Sequence, residues 1–496
     1  MVNKYYKNTT TLILLLASVC IFITNQITLR DFPNSGDEYS YLISAKLFSA
    51  GKLSVPSPDH KQFYDFFHII NDGKFYGKYS PGWPFFLMFG ELLGFPGIIN
   101  MIFAILTLIV MYFLSRELFS VRIAKISLLL IATNSYFIFN SSSYFSHTSS
   151  QFFLLLFVYY YLKNLETEKN SSWLFLGIIL GTSFLIRQLD AIVFGFCIFI
   201  HYVFFSLKNT KGYKEEILKW GVFLSGFLLL LGLFLIYNYL QTGDPFLFTF
   251  TQYDPHDKIG LRQPYSASLK WAVSYNIIHR IKLLNIWIPF CFVFLFFALF
   301  SYKKYGKEIL FLMFSIIVFL FFAYFFYLFS PGNQYGPRYL YSSSFAIFIL
   351  MAVGIEKVAT YKWFGYRWIL PCILTLNICF FIYASVQFHK QIDMRMEVYD
   401  KVKKEDIINA IVFLESPCGS MLVNDLTRNG IKFDNSVLFV KSFKKTNRLL
   451  MEDFPDRDYY LWRCDEVKKK PNILLDHGGE ALNVNCTLAP MIYEGP

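Results

Sequence analysis

The sequence predicts an all-α polytopic membrane protein of the kind that crosses the bilayer about eleven times, followed by a small extracytoplasmic α/β domain. Three observations carry this. Of 496 residues, 55% are hydrophobic and only 16% charged, whereas soluble domains carry about 25% charge. Aromatic side chains make up 20%, with 58 Phe and 34 Tyr, more than one water-soluble core of this size can bury. The net charge of +11 is spread over small clusters between long apolar runs, which is the pattern of membrane topology. A soluble enzyme, a disordered scaffold and a nucleic-acid-binding module are excluded.

A spanning helix needs about 20 apolar residues to cross roughly 30 Å of hydrocarbon. Candidate spans lie near 11–29, 97–114, 124–140, 149–163, 173–187, 190–207, 219–240, 283–302, 308–329, 339–355 and 368–386. The first follows Lys4 and Lys7 but is long and lacks a small-residue cleavage site, so it reads as an uncleaved first helix. From Trp173 to Phe205 the apolar run would measure about 50 Å as one helix, so Arg187-Gln188-Leu189-Asp190 is read as a tight turn. Residues 83–96 are read as an interfacial helix ahead of a single span, which keeps Arg116, Arg122 and Lys125 on the inner side. With the N-terminus inside, the inner loops hold about 17 basic residues in about 60 positions and the outer loops about 13 in about 130, as the positive-inside rule requires. Eleven spans place the C-terminus outside.

The expected domains are therefore a membrane domain over 1–386, with outer loops 30–84 and 241–282, and a soluble domain over 387–496. In the tail a helical pattern covers Val398–Leu414, and strand-like runs follow at Met421–Val423, Ser436–Val440, Tyr459–Trp462 and Asn472–Leu475. Five of the eight cysteines lie in apolar runs, where a buried thiol is expected. The other three, Cys418, Cys464 and Cys486, lie outside under this topology, so one disulfide is expected: Cys464–Cys486 or Cys418–Cys464, with the third thiol free.

Asp37-Glu38 follows the first span closely, and Tyr41, Leu42, Ala45, Leu47 and Phe48 behind it fit a short amphipathic interfacial helix capped by Ser35 or Asn34. Two acids in a first turn complement the helix dipole, but a carboxylate beside the membrane is also where a lipid-linked substrate presents its head group. Further on, Asp72-Gly73 reads as a hairpin turn and Ser80-Pro81-Gly82-Trp83-Pro84 as the return to the membrane.

The acidic pair, the Gly77-Lys78-Tyr79-Ser80-Pro81-Gly82-Trp83-Pro84 return, the Ser115-Arg116-Glu117-Leu118-Phe119-Ser120 inner loop and Asn333-Gln334-Tyr335-Gly336-Pro337-Arg338-Tyr339 together resemble the bacterial protein-mannosyltransferase-like family of GT-C membrane glycosyltransferases. The resemblance covers about residues 1–385. It implies transfer of a sugar from a polyprenyl-phosphate carrier to an acceptor on the outer face, with Asp37 at the family's acidic position activating that acceptor. Relatives often carry a second acidic residue in the outer loop after the third span, where this chain has Ser146-His147-Thr148.

The remaining candidates come from the residues themselves. His147 stands at the outer edge of a span, either as a substrate contact or as a hydrogen-bonded interfacial histidine. Arg187 and Asp190 are spaced to pair with each other, yet ionisable groups at span ends are costly enough to suggest function. Asp254, His256 and Asp257 supply three possible substrate or hard-metal ligands, or simply a solvated turn. Arg338, without a nearby acid in sequence, suits bidentate phosphate binding, and Tyr335 and Tyr339 flank it as substrate contacts. No nucleotide-binding, zinc or serine-nucleophile motif is present.

The expected chemistry is inverting transfer from a polyprenyl-phosphate-linked sugar donor. Asp37 serves as general base with Glu38 as a second catalytic residue that orients it or contacts the acceptor, and Arg338, Lys78 and Arg187 stabilise the departing phosphate. The acceptor is a glycolipid, a polysaccharide or a protein; a divalent metal is possible, and membrane lipid is the surrounding partner. The expected location is the plasma (inner) membrane. The alternative is a transporter or flippase of glycolipid precursors, although the internal repeat and midplane charges of transporters are not visible.

Overall fold

The computed structural model describes residues 2–165, 170–206, 213–257, 274–325, 327, 334–361, 365–415, 426–465, 468–470, 480–482 and 485–492. The chain forms two compact units. One comprises residues 1–26, 80–83 and 97–385; the other comprises 27–79, 84–96 and 386–496. Residues 27–79, expected as an outer loop of the membrane domain, thus cluster with the C-terminal segment.

Each segment expected to span is mostly helical over its described residues. The first unit contains α1 (Val2–Ile23), α4 (Gly97–Leu118), α5 (Val121–Ala132), α6 (Ser135–Ser142), α7 (His147–Asn164), α8 (Asn170–Ile186), α9 (Gln188–His201) and α10 (Tyr213–Thr242). The helices Arg280–Trp287, Cys291–Leu299, Lys307–Phe325 and Ser344–Ala359 follow, and then the long helix Tyr366–Lys404, whose residues from 386 on belong to the second unit. Among the described residues, seven helices are long and apolar enough to cross a membrane, and two bent pairs bring the count to nine. Residues 173–187 form only a short apolar helix.

The bends are corrections to two expected straight spans, and each has a physical cause. α5 and α6 meet at 61° around Asn134, whose side chain caps α6 by accepting from Tyr136 N at 3.0 Å and donates to Trp287 O at 2.9 Å. The second pair turns by 95° at Ile288-Pro289-Phe290, where proline removes a donor and Phe290 takes φ 61°. The hairpin expected at Arg187 is present: Arg187 is extended between α8 and α9. α8 and α10 approach at Gly177 and Gly226, where an added Cβ would strike the carbonyl oxygens of Phe223 and Leu174; small residues permit such contact between membrane helices. The face of α10 carrying Leu229, Leu233 and Ile236 is exposed, as suits lipid contact. Cys197 and Cys291 are buried and Cys20 is half-buried, but Cys372 and Cys379 are exposed.

A polar seam runs through the core of this unit. Asn100 Nδ2 donates to the carbonyls of Asn140, Ser143 and Phe145 at 3.2, 2.7 and 3.0 Å, and Gln151 Nε2 donates to Tyr341 O at 3.1 Å. Buried backbone carbonyls need such partners where no water reaches. The seam fixes the α6–α7 connection and the segment after Gln334.

The second unit holds α2 (Gly36–Ser49), β1 (Val55–Pro56), β2 (Ile69–Asp72), β3 (Lys74–Gly77) and α3 (Gly82–Leu92), most of which belongs here. β1-β3-β2 form an antiparallel sheet, turning at Gly73 with φ 73°, as Asp72-Gly73 predicts. α3 is the separate helix expected before the span. β4 (Ala410–Leu414), β5 (Val437–Lys441), β6 (Asp458–Cys464), β7 (Lys468–Lys470), β8 (Glu480–Leu482) and β9 (Cys486–Pro490) complete the unit. The larger sheet has the order β5-β4-β6-β9, with β4 parallel to both neighbours. Its faces are both covered: Ile411 and Phe413 pack with Phe63, Tyr64 and Leu450, whereas Val412 and Leu414 pack with Val398, Val402 and Trp462.

The helix expected over Val398–Leu414 is corrected on this point. It ends at Lys404, and residues 410–414 are a strand buried on both faces. Such a strand reads as an unbroken apolar run, without the alternation that would reveal it. The expected strands near 436–440 and 459–462 are β5 and β6; those at 421–423 and 472–475, and Cys418, lie outside the described residues. Cys464 and Cys486 face each other across β6 and β9 and form the disulfide.

Candidate functional site

The candidate residues fall into two groups, one in each unit. In the second unit the start of α2 is organised by Ser35-Gly36-Asp37-Glu38. Ser35 is extended and its Oγ accepts from Glu38 N at 3.2 Å, while Glu38 Oε2 accepts from Ser35 Oγ at 3.1 Å. This is the serine half of a capping box, with the glutamate taking the serine hydroxyl instead of the backbone N–H. It gives Glu38, which is buried, a structural task and leaves Asp37 one residue before it in the first turn. Of the two expected caps Ser35 serves, whereas Asn34 donates to Gln391 Oε1 at 3.0 Å. α2 is buried along nearly its whole length; its polar side, Ser40 and Ser44, is covered by β3 at Gly77, where a Cβ would come within 2.5 Å of Ser40 O.

That close approach delivers Tyr79 to Asp37. The Tyr79 hydroxyl donates to Asp37 Oδ1, and His68 Nε2 lies 3.2 Å from the same oxygen. Tyr41 stacks on Tyr79 with ring centroids 4.5 Å apart, and Lys78 Nζ stands 5.2 Å from the Tyr79 ring. The Asp37 side chain keeps 15% exposure, enough for an oxygen to meet a substrate while its geometry is fixed from the protein side. His68 and Tyr79 are not picked out as site residues by sequence reasoning. Tyr79 belongs to the quoted return motif, but the role of His68 depends on backbone conformation, which leaves no spacing signal.

In the first unit the break between α8 and α9 places Arg187 and Asp190 together. Arg187 Nε donates to Asp190 Oδ2 at 3.1 Å, and Asp190 also accepts from the hydroxyls of Tyr324 and Ser342. Arg187 Nη2 donates to Tyr324 Oη at 2.7 Å. Tyr324 stacks on Tyr339 at 4.9 Å, and Tyr327, edge-on to Tyr339 at 5.6 Å, donates to Asp257 Oδ1 at 2.5 Å. The Arg338 guanidinium lies 4.4 Å over Phe145 and 5.9 Å from Tyr339.

Tyr335 and Gly336 adopt φ 60° and 99°, and a Cβ at Gly336 would come within 2.7 Å of the Tyr136 ring. Asn140 Nδ2 donates to Tyr335 O at 2.9 Å and Tyr136 Oη to Pro337 O at 2.7 Å, so the turn that presents Arg338 is held on α6. His147 is buried between Phe145 and Tyr341, at 5.3 and 6.3 Å. Neither of its ring nitrogens meets a hydrogen-bond partner among the described residues, so the hydrogen-bonded interfacial histidine is not what the structure holds.

Arg187, Asp190, Tyr335, Arg338, Tyr339, His147 and Asp257 therefore share one connected cluster of rings and charges. Asp254 and His256 do not join it through any of these contacts: the His256 N–H and ring both approach Asp254 Oδ1, at 2.9 and 3.2 Å, in an exposed turn. The triplet considered as a metal site is thus divided. Among the described residues no group of three or more His, Cys, Asp or Glu could hold a metal ion.

Residues 83–237 match the family model of dolichyl-phosphate-mannose-protein mannosyltransferases. No curated protein sequence matches the chain. Among solved structures, ArnT from Cupriavidus metallidurans bound to undecaprenyl phosphate is similar over 98% of this chain and 99% of its own, with a TM-score of 0.58 and 9% identity. Its apo form gives 0.54 at 10% identity, over 91% of this chain and 93% of that one. The apo oligosaccharyltransferase of Archaeoglobus fulgidus gives 0.50 at 12% identity, over 92% of this chain and 69% of its own. The chain is a multi-pass membrane protein whose fold is like that of the ArnT structures, and residues 83–237 carry its match to the mannosyltransferase family model.

Proposed function

We propose that this protein transfers a sugar from a polyprenyl-phosphate carrier to a hydroxyl acceptor on the outer face of the plasma membrane, with inversion at the anomeric carbon. The observation that carries the reading is Asp37: a partly exposed carboxylate in a capped first turn, held by Tyr79 and His68 on one oxygen. The likeness of the fold to an ArnT structure bound to undecaprenyl phosphate supports a lipid-linked donor. The Cys464–Cys486 disulfide supports an extracytoplasmic tail, because disulfides persist in oxidising compartments.

In the reaction the acceptor hydroxyl gives its proton to Asp37 as its oxygen bonds to the anomeric carbon. The bond from that carbon to the phosphate oxygen breaks, and polyprenyl phosphate leaves with the electron pair. A carboxylate acting as general base contributes roughly 10²–10⁴-fold. The leaving group needs no proton at neutral pH but gains negative charge, which Arg338, Arg187 and Lys78 would offset as preorganised cations. Asp190 holds Arg187, and Glu38 caps the helix that carries Asp37. No step is assigned to a metal ion. The acceptor is a glycolipid, a polysaccharide or a protein.

The test is reconstitution of the full chain in vesicles with a polyprenyl-phosphate-linked sugar. Release of polyprenyl phosphate by the wild type, and loss of that release by at least about a hundredfold in Asp37→Asn, is the expected result. Movement of the intact donor between leaflets without release would replace this reading with a transporter.

A further inference from the structure

His68 occupies an unusual backbone position. Its φ is 63°, a left-handed conformation that costs a residue with a Cβ free energy and persists only where its surroundings enforce it. Two hydrogen bonds do so through its carbonyl. Ser40 Oγ donates to it at 2.7 Å from the helix bearing Asp37, and Lys78 N donates at 3.0 Å from the segment leading to Tyr79. The residue is clamped between those two elements, and its ring points Nε2 at Asp37 Oδ1 from 3.2 Å. Tyr79 donates to the same oxygen, and its ring centroid lies 6.0 Å from that of His68.

We propose that His68 is a positioning residue which, together with Tyr79, orients the Asp37 carboxylate and gates transfer by pH. The proposal rests on the reading of Asp37 as the general base. Neutral His68 donates Nε2–H to Oδ1 and holds the carboxylate in place, leaving its charge available to the acceptor proton. Protonated His68 forms a full ion pair, which stabilises the carboxylate and weakens it as a base. Transfer therefore rises as pH climbs through the His68 titration. The other ionisable groups about the pair are Glu38 on α2 and Lys78 and Tyr79 after β3.

The test has two arms on the full chain. The first is the pH profile of turnover. His68→Gln keeps an amide donor near the Nε2 position but cannot titrate, so its activity should lose the acid limb in the imidazole range and keep only the lower one set by Asp37 itself. His68→Phe, which cannot donate, should lower kcat by about tenfold or more with the donor KM little changed. An acid limb in the imidazole range that persists in His68→Gln overturns the gate. The second arm needs no transfer assay. The rate at which diethyl pyrocarbonate modifies His68, followed by peptide mass spectrometry against pH, reports the imidazole titration. Asp37→Asn should lower its midpoint by about half a unit or more, because a neighbouring carboxylate favours the charged ring. An unmoved midpoint overturns the coupling itself. Coupling found in a chain that performs no transfer would overturn the functional reading, and with it the gate, while leaving the His68–Asp37 pairing as fact.

Discussion

Arg187 and Asp190 are joined at 3.1 Å across the break between two helices, with side chains only 12% and 1% exposed. The i, i+3 spacing alone makes the pair possible; the hydroxyls of Tyr324 and Ser342 make it stable by meeting the remaining capacity of the carboxylate. Removing one member of a buried pair leaves the other charge uncompensated, at a cost of about 3–5 kcal/mol. Asp190→Asn should therefore lower the midpoint of thermal unfolding in detergent and reduce transfer, with Arg187 no longer fixed over Tyr339. An unchanged midpoint would mean that the pair contributes nothing to the fold.

Gly77 offers a second test, this time of positioning. Any Cβ there meets Ser40 and Ser44 of α2, so Gly77→Ala must push β3 away from the helix that bears Asp37. Overpacking of this kind costs about 1–3 kcal/mol. The Tyr79–Asp37 contact should suffer more than the fold does. The expected result is a fall in turnover with helix content by circular dichroism intact; full turnover would show that the contact tolerates the shift.

How far these groups could be read in advance depended on whether their cause was local. The Ser35–Glu38 cap, the Asp72-Gly73 turn and the separate helix before Gly97 follow from neighbouring residues and stand in the sequence. The bend at Asn134 does not, because an asparagine in an apolar run acquires its meaning from Trp287 O, far along the chain. β4 escaped because burial of both faces erases the alternation that marks a strand. His68 escaped for a different reason: its importance lies in a left-handed backbone and two bonds to its carbonyl, and neither has a composition signature. The shared cluster around Tyr324 and Tyr339 is likewise tertiary. Its members are spread from Phe145 to Tyr341, and ring contacts and hydrogen bonds between distant segments join them.

The disulfide closes a segment of 22 residues, for which the loop-entropy account gives roughly 3 kcal/mol. Replacing Cys464 and Cys486 together by Ser should lower the stability of the C-terminal sheet without altering that of the membrane helices. Limited proteolysis that releases the tail more readily from the double variant would bear this out. Equal resistance would show that the β6–β9 ladder holds by itself.

The pair bent by 95° decides how many times the chain crosses the membrane. Its flanks carry His256, whose side chain is 65% exposed, and exposed Lys303. If the pair crosses once, a cysteine at position 256 labels with an impermeant thiol reagent in intact cells, and one at 303 labels only after lysis. Labelling of both from the same side would make the pair re-entrant and remove one crossing from the proposed eleven.

Arg338 is the sharpest single residue in the membrane unit. Its guanidinium lies over Phe145, 4.4 Å from the ring centroid, where it takes support from the ring face, and the Tyr335-Gly336 turn that presents it is pinned to α6. Lysine keeps the charge but loses the planar fork that matches two phosphate oxygens, and it stacks poorly. If Arg338 stabilises the departing phosphate, Arg338→Lys should cut turnover by about tenfold to a thousandfold, the range seen when one preorganised donor is lost. The donor KM should change less, since the charge on the phosphate grows toward the transition state. A rise in KM with turnover unchanged would instead make Arg338 a ground-state contact to the carrier lipid. Unchanged kinetics in a folded variant would reduce it to a cation that anchors Phe145.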